Sequence, residues 1–281
     1  MTNEEAPLGK FVAVGDYQMH YLDIGEGEPT MFLHGGGPGA NGWCDFEPCL
    51  PYFTDRRVLL PDLIMYGRST LAHHSEPMQS FHARCVDQFM EALGIESANF
   101  VCSSVGGGVA MAIAVEYPKR VKKIVLSGTT PTFEYPGREP GVMGPAQLWT
   151  TGYYGGEGPT WEKMQDLIAS VEYYDRSLVP DHVVTIRYNY SNRPEYLALY
   201  NDTNNKGKPQ DLKPYLPKVN VPVLMLTGKQ EIICPPEHAL WLASQMPDCD
   251  VYAMERTRHH PEEERPEDYA KIVKMFLELR G

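Results

Sequence analysis

The stretch from Asn99 to Tyr117 holds the residues whose types and spacing could do chemistry. A short apolar run, Phe100-Val101, meets the pair Ser103-Ser104; Gly106, Gly107 and Gly108 follow, and then an Ala/Met/Ile segment begins. That pattern predicts a strand running into a helix through a tight turn, which lifts a serine hydroxyl away from the backbone toward a substrate. Ser104 fits better than Ser103, because Ser104-Val105-Gly106 puts the reactive residue two positions before a glycine. Cys102 stands where such a turn usually has another glycine and adds bulk where strand and helix crowd. A Ser/Gly loop that merely closes a strand has the same local sequence, since short motifs also arise by chance.

A serine hydroxyl needs a base, and the base needs an acid to orient it. For a strand-turn-helix nucleophile the chain order is serine, acid, histidine. After the apolar run Leu224-Met225-Leu226-Thr227-Gly228, the only carboxylate before Pro235 is Glu231. His259 stands after the next strand-like run, behind Arg256-Thr257-Arg258. Taken singly, Glu231 reads as a solvated loop acid and His259 as a surface residue of a tail made acidic by Glu262, Glu263 and Glu264. Their shared order, each at the end of a successive strand, favours the functional reading. The carbonyl under attack develops negative charge and needs backbone N–H donors. The loop His34-Gly35-Gly36-Gly37-Pro38-Gly39, also behind a strand, suits that task through Gly36 or Gly37, with the amide of Val105 as second donor. A phosphate-binding loop is the rival, but no Gly-Lys-Ser/Thr follows and the GxGxxG spacing is missing. His34 reads as a structural hydrogen-bonder.

These loops need elements to position them. Short strands are expected at Phe11–Val14, Gln18–Leu22, Thr30–Leu33, Arg57–Asp62, Phe100-Val101, Val121–Gly128, Val221–Gly228 and Asp250–Met254. Helices are expected at 80–93, up to Tyr117, and from Tyr269 to Leu279. Strands alternating with helices imply a mostly parallel central sheet flanked by helices. Between Thr130 and residue 217 the texture changes to Pro, Gly and Tyr and then to helix-like segments around 161–173 and 181–203. The simplest organisation is an α/β core over 1–130 and 218–281 with a mostly helical lid, 131–217, inserted between two strands.

Composition bounds the function. The 281 residues are 42% hydrophobic, enough for a substantial core, and the net charge of −12 disfavours a nucleic-acid or anionic-membrane partner. No run approaches the roughly 18 apolar residues of a spanning helix. The first ten residues lack a basic start and an apolar signal core, so a soluble, cytoplasmic protein is expected. Six scattered cysteines, with no CxxC pair, suit reduced thiols. The histidines form no HExxH or other ligand pattern, so neither a metal nor a cofactor is expected.

With those pieces assembled, the chain resembles the α/β-hydrolase superfamily over nearly its whole length, and within it the meta-cleavage-product hydrolases, which hydrolyse a C–C bond in vinylogous 1,5-diketones from aromatic-ring degradation. The likeness rests on His34 to Trp43 (HGGGPGANGW), on Pro61-Asp62 through Tyr66-Gly67-Arg68-Ser69, on Ser104-Val105-Gly106-Gly107, on Pro235-Pro236-Glu237-His238-Ala239, and on His259 with Pro261 and Arg265-Pro266-Glu267. It implies Ser104 as nucleophile, Glu231 in place of an aspartate, His259 as base, and an oxyanion hole from Gly36 or Gly37 with Val105. It further implies Arg187 as the lid arginine that holds a substrate carboxylate, and suggests a homodimer. Several positions depart from the resemblance: Ser103 and Asp45 replace asparagines, Val105 a methionine, His260 a tryptophan, Met65 and Cys102 glycines. Most of these line or support the substrate pocket, so Ser103, Asp45, Arg187 and His260 are the candidate substrate-binding residues.

Trp149, Tyr153, Tyr154, Trp161, Tyr173, Tyr174, Tyr188, Tyr190 and Tyr196 crowd the insertion, and Arg138, Arg176, Arg187 and Arg193 are its candidate carboxylate partners. The expected activity is cofactor-independent hydrolysis of a C–C bond or ester in a bulky, aromatic, carboxylated small molecule. Two alternatives remain: a lyase or cofactor-free oxygenase of this fold using His259 as base, and a catalytically silent ligand-binding protein.

Overall fold

The computed structural model describes residues 5–132, 144–202, 207–208 and 210–279. Among them, eight strands form one sheet in the order β1-β2-β4-β3-β5-β6-β7-β8. They are β1 (Lys10–Val14), β2 (Tyr17–Ile24), β3 (Glu28–Leu33), β4 (Arg56–Pro61), β5 (Ala98–Ser103), β6 (Val121–Ser127), β7 (Val223–Gly228) and β8 (Cys249–Met254). Strand β2 runs antiparallel to both neighbours; every pairing from β4 to β8 is parallel. The order departs from sequence order between β2 and β5, so β3 and β5, which carry the glycine loop and the serine turn, become neighbours.

Helix α1 (Gly42–Phe46) follows β3, α2 (Met78–Ala92) follows β4, and α3 (Val105–Glu116) follows β5. Helices α4 (Pro145–Tyr154), α5 (Trp161–Leu167), α6 (Asp181–Ser191) and α7 (Pro194–Asn201) lie between β6 and β7. A wider π-type turn, Ile168–Glu172, extends α5. Helix α8 (Pro236–Ser244) joins β7 to β8, and α9 (Pro261–Glu264) and α10 (Pro266–Leu279) follow β8.

Both sheet faces are covered, which is why the central strands read as unbroken apolar runs rather than as alternating ones. In β3, Met31 and Leu33 pack with the α2 and α3 side chains Phe89 and Met111, while Phe32 faces the opposite layer with Phe276 of α10. There Phe32 meets Phe46 and Phe53 edge-on, each at 5.1 Å between ring centroids. Burying such a ring contributes about 1.5–3 kcal/mol. All six residues of β5 are buried. The sheet is thereby a densely packed platform from which the loops at its carboxyl edge project.

Candidate active site

Ser104 caps α3 with φ 46° and ψ −110° and, with Met65 and Arg256, is one of three non-glycine residues with positive φ among those described. Such a conformation costs roughly 1–3 kcal/mol and persists only where neighbours hold it. The holding bonds are Ser104 N–H to the Ser127 carbonyl (2.7 Å), Gly106 N–H to the His34 carbonyl (3.0 Å) and Gly107 N–H to the Ser104 carbonyl (3.1 Å). The glycines have a steric reason. A Cβ on Gly106 would sit 2.2 Å from the Leu33 carbonyl oxygen, and one on Gly107 would sit 2.1 Å from Thr129 Oγ1. Ser104 is half-buried, whereas Ser103 is fully buried and its Oγ lies 3.3 Å from His260 Nδ1.

Glu231 and His259, on the loops after β7 and β8, meet: His259 Nδ1 lies 2.5 Å from Glu231 Oε2, and both side chains are buried. The other carboxylate oxygen accepts the Ile232 and Ile233 amides at 2.6 and 2.7 Å. Burial alone would raise the Glu231 carboxyl, but the His259 ring and these amides hold it below the usual carboxylate range. The glutamate's extra methylene is thus absorbed in a short turn that bonds the carboxylate to its own backbone. The His259 ring lies against Gly128, immediately after the strand whose last carbonyl holds Ser104. Serine turn and imidazole therefore stand on adjoining strand ends.

The glycine loop closes over the serine. A Cβ on Gly35 would lie 3.2 Å from Ser104 Cβ, and one on Gly36 would lie 2.7 Å from Val105 Cγ2. The Gly35 amide donates to Asp45 Oδ2 at 2.6 Å, which fixes the loop and leaves the donor role expected of this loop to Gly36 or Gly37. His34 Nε2 accepts the Leu63 amide at 2.9 Å and its Nδ1 lies 2.6 Å from the Gly35 carbonyl, so His34 is a structural hydrogen-bonder.

A polar chamber adjoins. Arg187 of α6 is buried; its Nη1 donates to Glu172 Oε2 at 2.5 Å and its Nε to the Pro38 carbonyl at 3.1 Å. His260 Nδ1 lies 2.9 Å from Glu262 and 3.3 Å from Glu263, and its Nε2 lies 3.7 Å from Glu172. Burial opposes the charge on His260, but Glu263, Glu262 and Glu172 together hold it well above its ordinary range. Burial also pushes the Glu263 carboxyl well up, and that carboxyl accepts the Tyr173 hydroxyl.

The chamber and the His259 loop are stitched to the insertion. The His259 amide donates to the Glu172 carbonyl at 3.0 Å, and Glu264 accepts the amides of Arg258 and Tyr174 at 2.6 and 2.7 Å. A cavity of about 400 Å³ opens beside Gly37 and Pro38, lined by Met65, Tyr66, Tyr154 and Tyr196 among others. Met65 lines it at φ 81°, a left-handed conformation that accounts for glycine at this position in the resemblance.

The structure therefore brings Ser104, Glu231, His259, Gly36, Gly37, Val105, Ser103, Asp45, Arg187 and His260 to one edge of the sheet. The insertion's aromatics divide. Tyr153, Tyr173, Trp161 and Tyr188 pack the insertion itself, whereas Tyr154 and Tyr196 face the cavity. Of the other arginines, Arg176 is bound to Asp166 and Arg193 to the Gly67 carbonyl, and Arg138 lies outside the described residues. Sequence reasoning misses Glu172. The signal that could find it is an acid one residue before the buried Tyr173, in an otherwise apolar turn.

A family model described as alpha/beta hydrolase fold matches residues 29–266, and the chain belongs to that family. Within it the likeness is to the meta-cleavage-product hydrolases. The chain is 29% identical to a 2-hydroxy-6-oxo-6-phenylhexa-2,4-dienoate hydrolase of Burkholderia cepacia, over 97% of each chain. It is 28% identical to a 2-hydroxy-6-oxononadienedioate/2-hydroxy-6-oxononatrienedioate hydrolase of Comamonas testosteroni, again over 97% of each. The solved meta-cleavage product hydrolase of Pseudomonas fluorescens IP01 superposes with a TM-score of 0.82 at 24% identity, covering 96% of this chain and 97% of that one, a likeness of fold.

Proposed function

We propose that this protein is a serine hydrolase that cleaves a carbonyl compound, a C–C bond of the vinylogous diketone type or an ester, in a bulky aromatic substrate. Ser104 is the nucleophile, His259 the general base and acid, and Glu231 the group that orients and charges the imidazole. The observation that carries the reading is the buried His259–Glu231 pair, whose ring packs on Gly128 beside the strand end that holds the strained Ser104 turn. The amides of Val105 and of Gly36 or Gly37 take the developing oxyanion. For C–C cleavage the departing carbon must gain a proton as the bond breaks; His259 delivers it and then activates water against the acyl group. The relatives' names support the C–C reaction, and the tyrosine-lined cavity beside Gly37 supports an aromatic group.

The test is turnover of an uncharged phenyl-substituted vinylogous diketone and an aryl ester by wild type and Ser104→Ala in water enriched in heavy oxygen. The expected result is a loss of at least about 10³-fold in kcat for the variant, and one heavy oxygen in the carboxylic acid made by the wild type. Normal turnover by Ser104→Ala removes the serine from the mechanism. Product without solvent oxygen points instead to lyase or oxygenase chemistry.

A further inference from the structure

Arg187 is the buried cation that the resemblance assigns to a substrate carboxylate, yet a carboxylate of this chain already holds it. Glu172 Oε2 lies 2.5 Å from Nη1, and Pro38 offers its carbonyl to Nε. What remains is Nη2, a buried donor with no hydrogen-bond partner among the described residues. It faces Gly37, whose Cβ, were there one, would sit 3.3 Å away, and Gly37 lines the cavity. Nη2 thus stands buried and unpartnered behind Gly37, at the cavity's edge, on a cation whose charge is answered from within.

The surrounding charge points the same way. Asp45, Glu172, Glu262 and Glu263 stand around Arg187 and His260, four carboxyl groups against two basic side chains. Burial raises the Glu263 carboxyl, whereas the Arg187 and His260 charges offset the burial cost of Glu172 and hold its carboxyl below the usual carboxylate range. A further carboxylate entering here would meet Glu172 as a like charge, and both of these cations are already paired.

We propose that Glu172 fills the anion-binding side of Arg187, so that the chamber accepts an uncharged oxygen (ketone, ester, amide or hydroxyl) on Nη2 and rejects a carboxylate there. Glu172 is then the residue that sets substrate charge. The proposal rests on the hydrolase reading of the same chamber, and it reverses the carboxylated substrate expected from sequence.

Binding separates the two. Calorimetric titration of wild type with 3-phenylpropionamide and 3-phenylpropionate, equal in shape and different in charge, is expected to show the amide bound at least about 10-fold more tightly. In Glu172→Gln the carboxylate gains roughly 100-fold, the size expected when one partner of a buried pair loses its charge, and the amide changes little. Arg187→Leu, made in the wild type and in Glu172→Gln, abolishes amide binding and the carboxylate gain respectively. A wild type that binds the carboxylate as well as the amide overturns the proposal without any variant. So does equal carboxylate affinity in wild type and Glu172→Gln, undetectable binding in both included. Full turnover by Ser104→Ala would sink the hydrolase reading while leaving this comparison intact.

Discussion

Gly128 lies where the serine strand's neighbour turns toward the imidazole, and its replacement by alanine tests whether that ring must stay where it is. Gly128 has φ +55°, and a Cβ there would lie 2.6 Å from His259 Cε1 and Nδ1 and 3.0 Å from the His259 carbonyl oxygen. Nδ1 is the atom bonded to Glu231, so the methyl intrudes on the pair itself. Ordinary contact begins at 3.4 Å. The ring must therefore retreat by about 0.8 Å, and misplacement on the order of 1 Å costs about 100-fold in rate. The positive φ adds about 1–2 kcal/mol of strain, which by itself affects stability only. Gly94, just past α2, separates the two effects: it has φ +66°, and an added Cβ there would meet nothing within 4 Å among the described residues. Gly94→Ala should lose about 1–2 kcal/mol in urea unfolding, and Gly128→Ala at least as much, since it also crowds the ring. Only Gly128→Ala should lose about 100-fold in kcat/KM on a chromogenic aryl ester. Equal, wild-type activity in the two variants would refute the reasoning.

Glu231→Gln keeps the shape and removes the charge. It should lower kcat by roughly 10³–10⁴-fold with an unchanged circular dichroism spectrum, and unaltered turnover would mean that another group orients His259. His82 of α2 is held down to about 3 by burial, with His74 and His34 adding to the effect. An unfolded histidine titrates near about 6.5. As pH falls from about 6.5 toward about 3, the unfolded chain therefore takes up a proton that the folded one refuses, and stability drops by up to about 1.4 kcal/mol per pH unit. Urea melts between about pH 6.5 and pH 5 should show a flatter slope in His82→Gln; an identical slope would mean that His82 charges in place.

Much of this site is legible in the sequence because its chemistry is local. The Ser104 turn announces itself through a strand that runs into three glycines, and two of those glycines are where a side chain would collide with Leu33 and Thr129. Glu231 and His259 follow from chain order, since parallel strands deliver successive loops to one edge. All eight strands expected from apolar runs are present. The order of β2, β4 and β3 is not legible, because antiparallel pairing near the start depends on which edges remain free rather than on any one segment. The acids after His259 read as a solvated tail, but α9 folds inward and Glu262 and Glu264 are buried. Their partners, the His260 ring and the amide donors of Arg258 and Tyr174, become neighbours only after folding. Glu172 is hidden for the same reason. It closes a π-type turn that no periodicity marks, and its partner Arg187 lies on α6, the α-helix that follows.

The central claim is that His259 and Glu231 make the Ser104 hydroxyl reactive. Its most direct test is treatment of the purified protein with a fluorophosphonate, followed by mass mapping of the adduct in wild type and in His259→Gln. The account predicts one adduct, on the peptide carrying Ser104, and its loss in the variant. No adduct, or equal labelling of Ser104 without the imidazole, would contradict it.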